Sequence, residues 1–195
     1  MGPKIKFDKK AVPYIIGLLI IVGLIFYWRI GAEKTPGDFN VRKGNYRLED
    51  GRYDEAVKEF SEALQKNPDH AMARLGLAVT YMQMGSYNEA MQEFNLVIEH
   101  NPDLAPAYAD RGILYDQMGE HRKALADYKK AIELDEEILE GPGWLWRFMR
   151  NIDKKPPTIK ERAAYLEAEL AKPEEERLLR VPEVDKKQRM YKIDD

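Results

Sequence analysis

Histidine is the side chain in this sequence best suited to acid–base or metal chemistry, and the chain has three: His70, His100 and His121. They lie near predicted turns of different helices and match no metal-ligand spacing. We therefore expect each of them at the surface. The histidines predict neither a metal site nor an active site.

Other groups that carry chemistry in enzymes are equally sparse. The chain has no cysteine, which excludes a disulfide framework, a thiolate metal site and a cysteine nucleophile. The glycines of 141–143 lack the lysine and the preceding strand of a phosphate-binding loop. The glutamate runs 136–137 and 174–176 are typical of solvated charge rather than of paired catalytic carboxylates. We expect no catalysis, no cofactor, no metal and no small-molecule substrate.

The overall charge is close to balanced. There are 31 Lys and Arg residues against 34 Asp and Glu, which gives a formal net charge of -3 and a pI near 5.8. Proteins that hold nucleic-acid backbones usually carry a basic field. General nucleic-acid binding is therefore not expected.

Residues 11–28 form a long uncharged stretch, AVPYIIGLLIIVGLIFYW. As a helix it would span roughly 27 Å, close to the thickness of a bilayer's hydrocarbon core. Aromatic residues lie near both of its ends, and Lys9, Lys10 and Arg29 flank it. We interpret residues 11–29 as a single transmembrane anchor in contact with lipid. The alternatives are a cleaved signal peptide and a buried core helix.

The lysines of residues 1–10 predict the orientation of this anchor. Positive charge favours the cytoplasmic side of a membrane. The N-terminus is then expected in the cytoplasm, and the rest of the protein in a periplasm or an equivalent space.

An internal repeat of 34 residues runs through the middle of the chain. Glycines recur at 51, 85 and 119, and matched columns of small or aromatic residues follow them. These columns are Ala56, Ala90 and Ala124; Phe60, Phe94 and Tyr128; Ala63, Val97 and Ala131; and, upstream, Gly44, Ala78 and Gly112. Apolar stretches with helical spacing lie on both sides of the breaks GSYNEA and GEHRKA, which predicts paired helices.

The period and these residue types resemble the tetratricopeptide-repeat family over three units, 37–70, 71–104 and 105–138. The resemblance implies antiparallel helix pairs that stack into a solenoid and hold peptides or protein partners in a groove lined by the first helix of each pair. Groove positions carried over in this way include Val41, Arg42, Asn45, Met72, Leu75, Val79, Met82, Ile113 and Asp116. The apolar members suit an apolar helix or strand of a partner, or else they pack against the protein's own downstream helix.

Some members of the family bind a C-terminal carboxylate through Lys, Asn and Arg side chains. In this sequence Val41, Gly76, Pro106 and Asp110 stand at most of those positions, and Asn45 alone matches. The resemblance therefore does not extend to carboxylate capture of the chaperone type.

The segment after the repeats is rich in aromatic residues. Trp144, Trp146 and Phe148 follow the helix-breaking run Gly141–Gly143, and two arginines are interleaved with them. Three interpretations stay open: an anchor for a protein partner, a segment in anionic headgroups, or a cap over the last repeat. Further on, Thr158 and Glu161 predict a capping box at the start of a helix.

The sequence predicts an all-α protein: one N-terminal transmembrane helix, a three-repeat helical solenoid and a helical C-terminal extension. Its expected function is that of a non-catalytic, membrane-anchored scaffold that binds other polypeptides, among them integral membrane proteins, as an accessory subunit or assembly factor of a membrane complex. The alternative is a receptor or chaperone for targeting sequences or client proteins. The expected segments are a basic segment 1–10, the anchor 11–29, a linker 30–36, the repeats 37–138, a connector 139–157, a helix 158–171 and a charged tail 172–195. The tail is expected either to be disordered or to contact the rest of the protein as an extended chain.

Overall fold

The computed structural model describes residues 12–31, 35–135 and 158–180, with side chains of 13–24 in the first of these segments. Every regular element in these ranges is helical. The helices are α1 (Val12–Gly31), α2 (Asp38–Glu49), α3 (Tyr53–Lys66), α4 (Ala71–Met84), α5 (Tyr87–His100), α6 (Ala105–Gln117), α7 (His121–Leu134) and α8 (Ile159–Leu170), followed by a 3-10 turn at Glu174–Glu176.

The transmembrane anchor expected at residues 11–29 is not supported. Over the described part of the chain, no helix is both long and apolar enough to span a bilayer. The prediction of a single-pass membrane protein, with its N-terminus in the cytoplasm and its repeats on the other side, is therefore wrong for these residues.

Helices α2 to α7 form three helix pairs, α2 with α3, α4 with α5 and α6 with α7. The first helix of each pair is followed by a glycine with positive φ: 72° at Gly51, 78° at Gly85 and 81° at Gly119. Only glycine adopts this left-handed conformation without a steric cost, and it stops the helix. The recurring glycines thus set the length of each first helix and let the chain reverse.

In the first and third units, an aromatic ring of the core packs closely against glycines of the first helices. Phe60 of α3 lies between Gly44 and Gly76, where added Cβ atoms would approach its ring to 2.7 and 2.4 Å. Tyr128 of α7 lies against Gly112 in the same way, at 2.7 Å. Substitution of these glycines would force the ring out of its place. The alanine and aromatic columns seen in the sequence are all fully buried.

A column of acidic residues, also spaced by 34, ties the two helices of each unit together. Glu59, Glu93 and Asp127 pair with Lys43, Arg74 and Arg111 on the first helix of the same unit, at 2.5, 3.0 and 2.7 Å.

These ion pairs change the titration of their members. Burial alone would raise the pKa of Glu59, but hydrogen bonds from Lys43 and Asn40 outweigh it and hold this pKa below its ordinary value. Burial alone would lower the pKa of Arg111, whereas its hydrogen bonds to Asp127 raise it above the ordinary value.

Helix α8 closes the end of the solenoid at the third unit. Its apolar residues Ile159, Ala163 and Leu166 are buried in the same cluster as the cores of the second and third units, and α7 is the element it packs on most. Thr158 and Glu161 form the capping box expected from the sequence. The described part of the tail folds back onto the third unit. The partly buried Leu179 packs against this cluster, and Arg180 donates to the carbonyl of Gln117.

Candidate functional site

The first helices α2, α4 and α6 present equivalent residues at intervals of 34. We call the surface formed by these residues the first-helix face. Its central columns are Val41, Leu75 and Ala109; Asn45, Val79 and Ile113; and Leu48, Met82 and Asp116. Apart from Asn45 and Leu48, which are half-buried, all of them are buried. The centre of this face is therefore a packed floor.

Two rims border this floor. Asp38, Met72 and Pro106 form one rim and are half-buried, whereas Glu49, Gln83 and Gln117 form the other and are exposed. The first-helix face thus offers polar groups and one methionine to solvent. Of the residues singled out by sequence, Asn45 and Met72 are partly accessible here, and Arg42 is exposed on a different side of α2.

A buried ionic cluster occupies the end of this face in the third unit. The carboxylate of Asp116 accepts two hydrogen bonds from Arg162 of α8, at 2.6 and 2.9 Å, and lies 2.8 Å from Nδ1 of His121. The hydroxyl of Tyr128 donates to the same carboxylate at 3.4 Å. Arg162 also donates to the carbonyl of Leu179 at 3.1 Å. Asp116 therefore holds α8 and the folded-back tail on the third unit.

Two histidines expected at the surface are buried instead. His121 belongs to the cluster just described, and Nε2 of His70 lies 3.1 Å from a carboxylate oxygen of Asp38. His100 is exposed. In the segments that the structure describes, no group of three or more His, Asp or Glu side chains is arranged to hold a metal ion. Each buried histidine therefore serves to join neighbouring helices.

The outer side of α2 carries exposed aromatic rings and cations. Phe39, Arg42, Lys43, Tyr46 and Arg47 line an open depression of about 200 Å³. Sequence reasoning identified Arg42 but not its neighbours. Their signal in the sequence is the spacing 39, 42, 43, 46, which places them on one side of a helix. Trp144, Trp146 and Phe148 lie outside the described residues.

Comparison with known families agrees with the helix pairs. Family models described as tetratricopeptide repeat match residues 47–110 and residues 105–138. Together the matches run from the last turn of α2 to just beyond the end of α7. None of the curated protein sequences compared with this chain matches it.

Several solved structures have the same arrangement of helices. The TPR domain of Arabidopsis OM64 covers 52% of this chain and 84% of its own length, with 20% identity and a TM-score of 0.50. The first TPR domain of human RPAP3 covers 68% and 96%, with 21% identity and a TM-score of 0.50. The TPR2B domain of yeast Sti1 covers 60% and 90%, with 23% identity and a TM-score of 0.50. At these identities the likeness shows a shared fold.

Proposed function

The chain contains tetratricopeptide repeats, a domain type that mediates protein–protein interactions, and on that premise we propose that it is a non-catalytic scaffold that binds another polypeptide along its first-helix face. The observation that supports this site is the exposed rim of Glu49, Gln83 and Gln117, one residue from each unit. Because Arg162 and Arg180 already contact Asp116 and Gln117 in the third unit, this rim suits an extended or helical segment that crosses the first two units.

The chemistry of the rim suits backbone recognition. The amides of Asn45, on the floor, and of Gln83, on the rim, each combine a donor and an acceptor, and can therefore pair with the N–H and C=O groups of a bound peptide. Met72, on the opposite rim, adds an adaptable apolar contact. We propose that Asn45 and Met72 touch the partner. The buried residues Val41, Leu75, Val79, Met82 and Ile113 would then act from beneath, by fixing the positions of the first helices.

The proposed role is that of an accessory subunit or assembly factor of a protein complex. The alternative is a receptor or chaperone for targeting sequences or client proteins. Capture of a C-terminal carboxylate is not part of either role, since Val41, Gly76 and Pro106 carry no charge and Asp110 is a fully buried carboxylate. Integral membrane partners were expected because of the anchor, and they are not part of this proposal.

Affinity purification of the full-length protein from its native cells tests the proposal. The variant that we call the rim variant combines Gln83→Ala on the rim with Asn45→Ala on the adjoining floor. The matched control combines Asn88→Ala with Gln92→Ala, two exposed amides on α5. We expect the rim variant to lose about tenfold of the polypeptide retained by the wild type, a change of about 1.4 kcal/mol. The control should retain it. Equal retention by both variants would contradict the proposal.

A further inference from the structure

The outer side of α2 forms a second surface, separate from the first-helix face. Its residues Phe39, Arg42, Lys43 and Tyr46 follow the spacing i, i+3, i+4, i+7, so they lie along one side of the helix, with Arg47 beside them. We call these five residues the α2 outer face. The relative exposure of Phe39 is 55% and that of Tyr46 is 60%.

The two ends of the solenoid differ in how they are closed. The end at the third unit is covered by α8, which buries Ile159, Ala163 and Leu166 there. At the other end, α2 packs mainly on α3 and α4, through Val41 and Leu48 among others. The α2 outer face points away from that packing and leaves two aromatic rings in solvent. Large apolar groups exposed together often mark an interaction surface.

The charges of the α2 outer face have one sign. Its five positions hold three cations and no carboxylate. Lys43 and Arg47 are balanced by Glu59 and Glu55 of α3, whereas Arg42 makes no ion pair with any residue that the structure describes. A carboxylate of a partner could therefore pair with the guanidinium of Arg42, and Lys43 and Arg47 lie beside it.

Within the α2 outer face, each aromatic ring contacts a cation of the same helix. Nζ of Lys43 lies 5.7 Å from the ring centre of Phe39, and Cζ of Arg47 lies 5.9 Å from that of Tyr46, within the range of cation–π attraction. Phe39 and Tyr46 are seven residues apart, about 10 Å along the helix axis, and the depression between them has a volume of about 200 Å³. That volume suits one apolar side chain of a partner helix, since packed helices seat side chains of one in the grooves of the other.

We propose that the α2 outer face binds an acidic amphipathic helix of a partner protein. One apolar side chain of this helix would fill the depression between Phe39 and Tyr46, and a carboxylate of the helix would pair with Arg42. Aromatic residues and arginine are the side chains that most often dominate the energy of protein interfaces. This site adds a contact point to the scaffold, and it does not depend on the first-helix face.

Two designed peptides test the chemistry of this site. Both are fluorescein-labelled helices of about 18 residues with identical leucine and phenylalanine positions; one carries glutamates on its polar face and the other carries lysines at the same positions. Binding to the full-length protein is measured by fluorescence anisotropy at about 50 mM salt, where surface charges are weakly screened. We expect the acidic peptide to bind at least about tenfold tighter than the basic one, and to weaken as salt is raised.

Variants locate the peptide on the protein. Arg42→Glu and Phe39→Ala should each weaken binding of the acidic peptide about tenfold. Arg122→Glu is the matched control, because Arg122 is an exposed arginine on α7 and its reversal changes the net charge equally. Circular dichroism and thermal unfolding check that each variant folds. The rim variant Asn45→Ala with Gln83→Ala should bind the acidic peptide like the wild type.

Two results would overturn the inference. One is equal affinity for the acidic and basic peptides, which would mean that the surface does not select acidic partners. The other is an equal loss of binding for Arg42→Glu and Arg122→Glu. That result would mean that the loss comes from the change in net charge and not from the position of Arg42. Neither result bears on retention through the first-helix face, so a failure here is distinguishable from a failure of the proposed function.

Discussion

Arg162 and Asp116, which are 46 residues apart in the sequence, form a bidentate ion pair. Nε and Nη2 of the arginine donate to the two carboxylate oxygens, and each side chain is only 3% exposed. Because the pair joins α8 to α6, the helix after the repeats belongs to the same folded unit. It closes the end of the solenoid where a fourth repeat would stack.

Removal of Arg162 should be costly for stability. Arg162→Met would leave the Asp116 carboxylate buried with only His121 and Tyr128 as partners, and a buried charge that loses its main partner costs about 3 to 5 kcal/mol. We expect the free energy of unfolding, measured by urea denaturation, to fall by about 3 kcal/mol.

Lys129→Met is the control for this prediction. It removes a salt bridge to Glu167 in which both side chains are more than half exposed. Exposed pairs contribute about 0 to 1 kcal/mol. Equal losses for Arg162→Met and Lys129→Met would contradict the role given to the buried pair.

Gly76→Ala should destabilise the interface between the first two units. The added Cβ would lie 2.4 Å from the ring of Phe60, and such overpacking costs about 1 to 3 kcal/mol. If the clash is the cause, the double variant Gly76→Ala with Phe60→Leu should lose less than the sum of the two single losses. Additive losses in thermal or urea unfolding would show that the ring is not the obstacle.

Stability should fall in acid partly through Glu59. Its pKa is lower in the folded state than in the unfolded chain, because Lys43 and Asn40 hydrogen-bond its ionised form. Its contribution is therefore complete above the unfolded pKa, near 4.5, and disappears as the pH falls through the lower, folded value.

Urea unfolding of the wild type and of Glu59→Gln, measured from pH 7 down to pH 3, checks this sign. The difference in stability between the two proteins should shrink on the acid side of the unfolded pKa. A difference that is constant over the whole range would contradict it.

The repeats were accessible from sequence because their constraints are local. Glycines at 51, 85 and 119 stand where the backbone needs a positive φ, and Phe60 or Tyr128 must fit against a glycine of a first helix. Such requirements recur in the repeated units and appear in the sequence as similar residues spaced by 34. The capping box at Thr158 is local in the same sense.

The parts that sequence reasoning missed depend on contacts between distant residues. His70 contacts Asp38, 32 residues away, and the Asp116 carboxylate beside His121 is bound by Arg162, 46 residues from Asp116. The burial of these two histidines therefore has no local signal. The acidic column of Glu59, Glu93 and Asp127 pairs with cations at two different positions of the first helix, which hides the pattern. The anchor prediction rested on the length, apolar composition and flanking residues of 11–29, whereas no helix in the described part of the chain is long and apolar enough to span a bilayer.

Site-specific photo-crosslinking in native cells tests the central claim, that a polypeptide binds along the first-helix face. A photoreactive amino acid replaces Gln83 on the exposed rim in one version of the full-length protein, and Gln92 on α5 in the other. The account predicts a light-dependent adduct with a defined polypeptide from position 83 and none from position 92. Adducts of equal yield from both positions, or an adduct from position 92 alone, would contradict it.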